Sequence, residues 1–180
     1  VEGRNVYEIF NYQIAYEIRL QQAMEENLLC PFHYFGITDL SMIGDEEAAR
    51  DFNMLTSDER VRHIVNQADY YGYSGDKVKG LIFCSNIKET EELSAKFNQI
   101  INPATGKNFR TVALNGSASE QERQDAFERL AMNEDESSED RQPLDYIFSV
   151  EILNEGVDIV EVNQVIMLRP TQSPIVFIQQ

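Results

Sequence analysis

Cysteine is scarce in this chain of 180 residues, and what there is does not suggest a metal site. Cys30 follows a Leu-Leu pair and Cys84 lies inside an apolar run, so both are predicted to be buried free thiols. Together with His33 and His63 they lack the spacing of metal ligands. The sequence therefore predicts no metal site.

Several other patterns are missing as well. No apolar run is long enough to span a membrane and no secretory signal is present, so we expect a cytoplasmic protein with no membrane partner. No Gly-x-x-x-x-Gly-Lys-Ser/Thr occurs, so the chain by itself is not expected to hold a triphosphate. No Gly-x-Gly-x-x-Gly follows any predicted strand, which argues against a Rossmann-like enzyme acting on small molecules.

Basic residues are also few, with 15 Lys and Arg against 31 Asp and Glu, for a net charge of -16. A nucleic-acid binder is expected to present a basic footprint. Two interpretations stay open: an acidic surface with no nucleic-acid role, or local charge with the basic surfaces elsewhere in a larger protein. The hydrophobic content of 42% is ordinary for a globular protein and argues against wholesale disorder. The length suits one α/β domain with an appendage.

The first third of the chain reads as a helix, a strand and a connecting loop. Residues 14–29 show helical periodicity, and Pro31 ends that helix because proline cannot continue the hydrogen-bond ladder. Residues 32–38 fit a strand, and the acidic residues 39–55 fit a connecting loop that includes one helical turn. A capping-box pattern then predicts a helix over 56–71.

The rest of the chain alternates apolar strands with helices. Strands are predicted at Gly80–Cys84, Thr111–Leu114, Tyr146–Val150 and Val165–Leu168. Three strand-then-helix units in sequence and two closing strands predict a parallel sheet with helices on both faces. The acidic stretch 132–143 is predicted to be an exposed loop, away from any binding face.

Polar residues follow the ends of the first two strands. Ser85 and Asn86 precede a helix, and Asn86 is equally suited to cap that helix and to contact a ligand. Gly116 follows the next strand, and Arg123 comes seven residues later in the first turn of a helix. Such an arginine could reach a phosphate, although a single arginine on a helix is more typical of exposed surface.

A third polar turn lies between the last two strands. It contains Asn154, Glu155, Gly156 and Asp158. Ligand sites in parallel sheets form at the carboxyl ends of strands. Gly156 would let the backbone approach a ligand closely, and Asp158 could accept hydrogen bonds from a hydroxyl group.

The block Asn154 to Ile159 resembles motif V of the superfamily 2 helicases and translocases. Gln179 stands where motif VI of that family begins, and the chain ends one residue later, so we expect a fragment cut within motif VI. The unit around Ser85 resembles motif IV. The resemblance covers residues 79–180 well. It covers residues 7–36 moderately, and these are similar to the connector of DEAD/DEAH-type proteins.

The resemblance implies an α/β, three-layer RecA-like fold of the P-loop NTPase type, with an N-terminal helix-strand appendage. It divides the chain into a connector and acidic loop, 1–55, and the second RecA-like lobe, 56–180. Glu155, Gly156 and Asp158 would face ATP, and Gln179 would start motif VI. The residues that would face nucleic acid are Ser85, Asn86, Gly116, Arg123, Ser149 and Val150.

Two details of the resemblance bear on the ligand. Val150 stands where the family often has a threonine that touches the nucleic-acid backbone, and it has no hydroxyl group. Glu155 replaces an arginine common in DEAD-box RNA helicases, which favours the DNA translocase and restriction-type branches.

The implied activity is ATP-driven movement on nucleic acid, with DNA favoured over RNA as the partner. ATP and Mg²⁺ would bind between this lobe and the first RecA-like lobe of the full-length protein, and the fragment alone would hold neither. The arginines of motif VI, which stabilise charge on the transferred phosphate, are absent from the chain. The alternative is a non-catalytic binding or regulatory module with the same fold.

Overall fold

The computed structural model of the chain describes residues 52–150 and 162–168, together with Gln22, Glu26, His33 and Phe35. The chain divides into two compact units, Val1–Ile37 and Thr38–Gln180. In the first unit, Gln22 Nε2 donates a 2.7 Å hydrogen bond to Glu26 Oε1, four residues later. The predictions for the rest of residues 14–38, Cys30 included, fall outside the described residues, and the division at residue 55 stays a prediction.

The second unit alternates strands and helices in the predicted order. Its described elements are α1 (Phe52–Leu55), α2 (Asp58–Tyr71), β1 (Gly80–Phe83), α3 (Ile87–Phe97), β2 (Thr111–Leu114), α4 (Glu120–Ala131), a 3₁₀ turn (Glu134–Glu136), β3 (Tyr146–Ser149) and β4 (Gln164–Met167). The predicted strands are confirmed to within one residue at each end. In the described ranges, no helix is long and apolar enough to cross a membrane.

The four described strands form one parallel sheet in the order β2-β3-β1-β4. Gly80 lies opposite both Tyr146 and Gln164, and Thr111 also lies opposite Tyr146. The four strands therefore start level with one another. The predicted parallel α/β sheet of RecA-like type is confirmed.

Helices cover both faces of the sheet. Successive side chains of a strand point to opposite faces, so Ile82 and Phe148 pack on one side while Leu81 and Ile147 pack on the other. The first core contains Val61, Ile64 and Val65 of α2 and Leu93 and Phe97 of α3. The second contains Ala126 and Leu130 of α4. The three-layer arrangement follows from these two cores.

Helix α2 begins one residue later than its capping-box pattern predicts. The hydroxyl group of Ser57, rather than that of Thr56, accepts the hydrogen bond from the Arg60 amide, at 3.2 Å. In the first turn of the helix, Arg60 therefore faces the interior, whereas Glu59 is exposed. The predicted capping box of α4 is confirmed in both directions, between Ser119 and Glu122.

The acidic loop after α4 is exposed, as predicted, and arginines pair with its carboxylates and with those of α4. Arg110 forms an ion pair with Glu134. Arg141 Nη2 lies 3.0 Å from Asp125 Oδ1 and 2.6 Å from Glu128 Oε2, both on α4. Since α4 runs back along the sheet, this loop lies at the amino edge of the strands. It is therefore remote from the edge where parallel sheets bind ligands.

Cys84 is a buried free thiol, as predicted. Burial, together with the nearby Glu89 carboxylate, raises the pKa of the Cys84 thiol to about 12. Because the thiolate is the reactive form, we expect Cys84 to be inert in the folded protein at pH 8. In a Cys30→Ser variant, Ellman's reagent should detect a thiol only after unfolding in guanidinium chloride. Rapid labelling of the folded variant would contradict this burial.

Candidate functional site

The polar residues that follow β1, β2 and β3 emerge at one edge of the sheet. Phe83 and Leu114 both lie opposite Ser149, so the three strands end level with one another. Strand β3 lies between β1 and β2. With neighbouring strands about 4.8 Å apart, the β1–α3 loop and the β2–α4 loop are separated by about 10 Å across the edge. Both loops are candidates for a shared ligand surface.

Asn86 caps α3, and the cap leaves half of its side-chain amide unused. Its Oδ1 accepts a hydrogen bond from the Glu89 amide at 2.9 Å. Its backbone carbonyl accepts from the hydroxyl group of Thr90 at 2.8 Å. Asn86 is exposed, and its Nδ2 donates to no other described residue. The predicted cap is confirmed, and the predicted ligand contact stays compatible with it, since the two use different atoms.

The amino end of α3 is suited to an anion. The first amides of a helix have no partner within the helix, and the helix dipole places partial positive charge there. Lys88 adds an exposed cation in this first turn. The only first-turn carboxylate of α3, that of Glu89, is fully buried and lies 2.7 Å from Arg60. No exposed acid in the first turn of α3 therefore cancels the positive potential at this helix end.

The amino end of α4 differs, because its own carboxylates occupy it. Glu122 Oε2 accepts hydrogen bonds from the amide and the hydroxyl group of Ser119, both at 2.7 Å. These bonds lower the pKa of Glu122, so it is anionic at neutral pH. Glu120 is also exposed in the same turn. Of the two helix ends, that of α3 is the better site for a phosphate group.

Gly116 and Arg123 lie in contact, which sequence reasoning did not anticipate. Arg123 Nη2 donates to the Gly116 carbonyl at 3.3 Å. Arg123 is half-buried, and its contact with a phosphate stays a prediction. Its Nε is buried and donates to no partner in the described part of the chain. A methyl group on Gly116 would meet no atom within 4 Å, so the fold does not require glycine there.

Ser149 and Val150 do not present hydroxyl groups at the surface. Ser149 is 1% exposed because it continues the alternation of β3, a central strand, on the same face as Ile147. Its hydroxyl group has no hydrogen-bond partner among the described residues. Val150 is half-buried and has no hydroxyl group. A nucleic-acid contact by either side chain stays a prediction.

The remaining predicted site residues cannot be placed. Glu155, Gly156, Asp158 and Gln179 lie outside the described residues. Within the described ranges, no group of three His, Cys, Asp or Glu side chains is placed to hold a metal ion.

Sequence reasoning missed the buried Arg60–Glu89 pair beneath the β1–α3 loop. A signal was present: Arg60 falls on the same helical stripe as Ile64, four residues later, and that stripe is otherwise apolar. A charged side chain on a core-facing stripe indicates a buried partner, because an isolated buried charge is very unfavourable.

Comparison with known proteins supplies the family. The family model described as "Helicase conserved C-terminal domain" matches residues 59–180. This range contains every described strand, α3 and α4, and both loops of the candidate edge. A search of curated proteins gave no match.

Proposed function

The chain belongs to the helicase conserved C-terminal domain family, and on that premise we propose that it is the second motor lobe of an ATP-dependent helicase or translocase that moves on DNA. The observation that carries the proposal is the amino end of α3. It lies at the carboxyl edge of a parallel sheet, carries exposed Asn86 and Lys88, and has its one first-turn acid neutralised. This combination suits the phosphate groups of a nucleic-acid backbone.

The chemistry of the proposed contact is independent of base sequence. Backbone amides at the start of α3, the Nδ2 of Asn86 and the Lys88 ammonium would each donate to phosphate oxygens. Contacts of this type position a protein on nucleic acid without reading bases. A motor requires this property, because each step must place it on a new sequence.

The nucleotide would be held by both lobes. The chain has no phosphate-binding loop, so ATP and Mg²⁺ would bind between this lobe and a first RecA-like lobe. When bound, ATP supplies the free energy of phosphoryl transfer. In this proposal Glu155, Gly156 and Asp158 face the nucleotide, and Gln179 begins motif VI. Opening and closing of the cleft would move the α3 contact relative to the first lobe.

The choice of DNA rests on Glu155, which stands where DEAD-box RNA helicases commonly have an arginine. This departure favours the DNA translocase and restriction-type branches of the family over the RNA helicases. A cytoplasmic location is part of the same proposal.

The test is ATP turnover by the full-length protein that carries both lobes. We expect turnover to rise at least tenfold with single-stranded or duplex DNA and to rise less with RNA of equal length. Isothermal titration calorimetry on this chain alone should show no micromolar ATP binding. Stimulation by RNA alone would overturn the choice of DNA, and micromolar ATP binding by the chain alone would overturn the shared site.

A second candidate is a non-catalytic binding or regulatory module. The net charge of -16 favours it, because most of the surface repels nucleic acid. In that case the full-length protein would not hydrolyse ATP, whether DNA, RNA or no nucleic acid is present. Turnover with any of them would exclude this candidate.

A further inference from the structure

A fully buried ion pair lies directly beneath the β1–α3 loop. Arg60 of α2 and Glu89 of α3 are 1% and 0% exposed, and Arg60 Nη1 donates to Glu89 Oε1 at 2.7 Å. The other carboxylate oxygen, Oε2, accepts from the backbone amide of Ser85 at 2.7 Å. Glu89 therefore connects the interior of the lobe to the loop that carries Asn86.

Arg60 also reaches two carbonyl groups that lie far apart in the chain. Its Nη1 donates to the Leu55 carbonyl at 2.6 Å. Its Nη2 lies 3.5 Å from the Leu168 carbonyl, immediately after β4. One guanidinium group thus connects the entry to α2, the β1–α3 loop and the exit from β4.

The pair is not an efficient way to stabilise a fold. Removing two charges from water is costly, and apolar residues of similar size often stabilise a protein equally well or better. Glu89, however, lies in the first turn of α3, where an uncompensated carboxylate would repel a phosphate group. Arg60 removes that repulsion, and it orients the carboxylate that holds the Ser85 amide. The arrangement therefore has a consequence for an anionic ligand that an apolar pair would not provide.

We propose that Arg60 and Glu89 are positioning residues for nucleic-acid binding, which hold the Ser85–Asn86 loop in register with the exit from β4 and keep the amino end of α3 free of net negative charge. This inference rests on the proposed function.

The same two helices provide a matched control. Asp58 of α2 and Lys96 of α3 form an exposed pair at 2.6 Å. The Lys96 contact lowers the pKa of Asp58, yet the carboxylate lies at the surface and forms no hydrogen bond with the described β1–α3 and β2–α4 loops. Replacing both residues, with Asp58→Asn and Lys96→Met, removes an α2–α3 ion pair without changing the β1–α3 loop.

The test uses the full-length protein with two variants of the buried pair. Arg60→Met with Glu89→Leu replaces it by apolar side chains, and Arg60→Lys keeps the charge but loses the forked geometry. We expect DNA affinity to fall at least tenfold in the double variant and several-fold in Arg60→Lys. The exposed-pair control should stay within twofold of the unaltered protein.

Two further measurements test whether the buried pair positions the β1–α3 loop or only stabilises the fold. Tyr146→Phe, which removes a hydrogen bond to Gln164 at the opposite edge, gives a variant destabilised elsewhere. If DNA affinity simply follows unfolding free energy across all variants, the proposal is overturned. Hydrogen exchange of the peptide containing Ser85 should accelerate at least tenfold in both buried-pair variants and not in the control.

The exchange measurement keeps this inference distinct from the proposed function. If the unaltered protein shows neither DNA binding nor turnover, the proposed function fails together with the binding role of the pair. Unchanged exchange at Ser85, in a protein that does bind DNA, overturns the inference alone. If the double variant does not fold, DNA affinity and hydrogen exchange at Ser85 are measured in Arg60→Lys instead. Normal DNA affinity in Arg60→Lys then contradicts the proposal.

Discussion

Replacing Asn86 by aspartate is expected to weaken DNA binding by the full-length protein at least tenfold while leaving the lobe as stable as before. Aspartate caps a helix as well as asparagine does, so the 2.9 Å bond from the Glu89 amide should persist. The change removes the free Nδ2 donor and adds a negative charge at the proposed phosphate contact. A lost hydrogen bond and a like charge at about 4 Å together cost about 2 kcal/mol in DNA binding, which corresponds to more than tenfold in affinity.

A charge-matched control is available at the opposite edge of the sheet. Asn133 is exposed and lies beside Lys77, at the amino ends of the strands. Asn133→Asp adds the same charge, so it corrects for the general effect of making an acidic protein more acidic. Affinities should be compared by fluorescence anisotropy at fixed salt. Equal weakening by both variants would show that Asn86 makes no local contact.

Replacing Gly80 by alanine is expected to lower the free energy of unfolding by about 3 kcal/mol, the upper part of the usual range for overpacking a core. A methyl group at this position would overlap the Cδ1 and Cε1 atoms of the Tyr146 ring. The ring cannot move aside easily, because it packs against Phe97 and Phe109 and its hydroxyl group donates to Gln164 at 2.6 Å. Guanidinium chloride denaturation followed by circular dichroism measures the change.

Gly116→Ala provides the control for Gly80→Ala. A methyl group on Gly116 would meet nothing within 4 Å, and Gly116 is not among the glycines with positive φ. We expect its unfolding free energy to change by less than about 0.5 kcal/mol. A Gly80→Ala variant as stable as Gly116→Ala would mean that the close approach of β1 to Tyr146 is not rigid.

The capping motifs show how far local sequence can predict structure. The Ser119–Glu122 box and the Asn86 cap were readable from the sequence, because both involve residues three apart in the chain. The cap of α2 was placed one residue too early, since Thr56 and Ser57 are both competent caps. With Ser57 as the cap, Arg60 lies at the third helical position, where it pairs with Glu89, a residue 29 positions away. Local patterns contain no information about such a partner.

The role of each helix end shows the same limit. The sequence places a polar cap ahead of both α3 and α4 and does not choose between them as a phosphate site. Only the folded structure shows that Glu122 occupies the end of α4, whereas Arg60 neutralises the acid at the end of α3. The choice between them depends on contacts between different helices.

Apolar periodicity and motif order were enough to predict the parallel α/β sheet, its strands to within one residue and the family, because both are properties of neighbouring residues. Three further points came only from the folded structure: Ser149 is buried, Arg123 folds back on Gly116, and Arg60 pairs with Glu89. Each depends on residues brought together by packing across the sheet. The physical reason is that burial and charge compensation depend on distance in space, which separation along the chain does not fix.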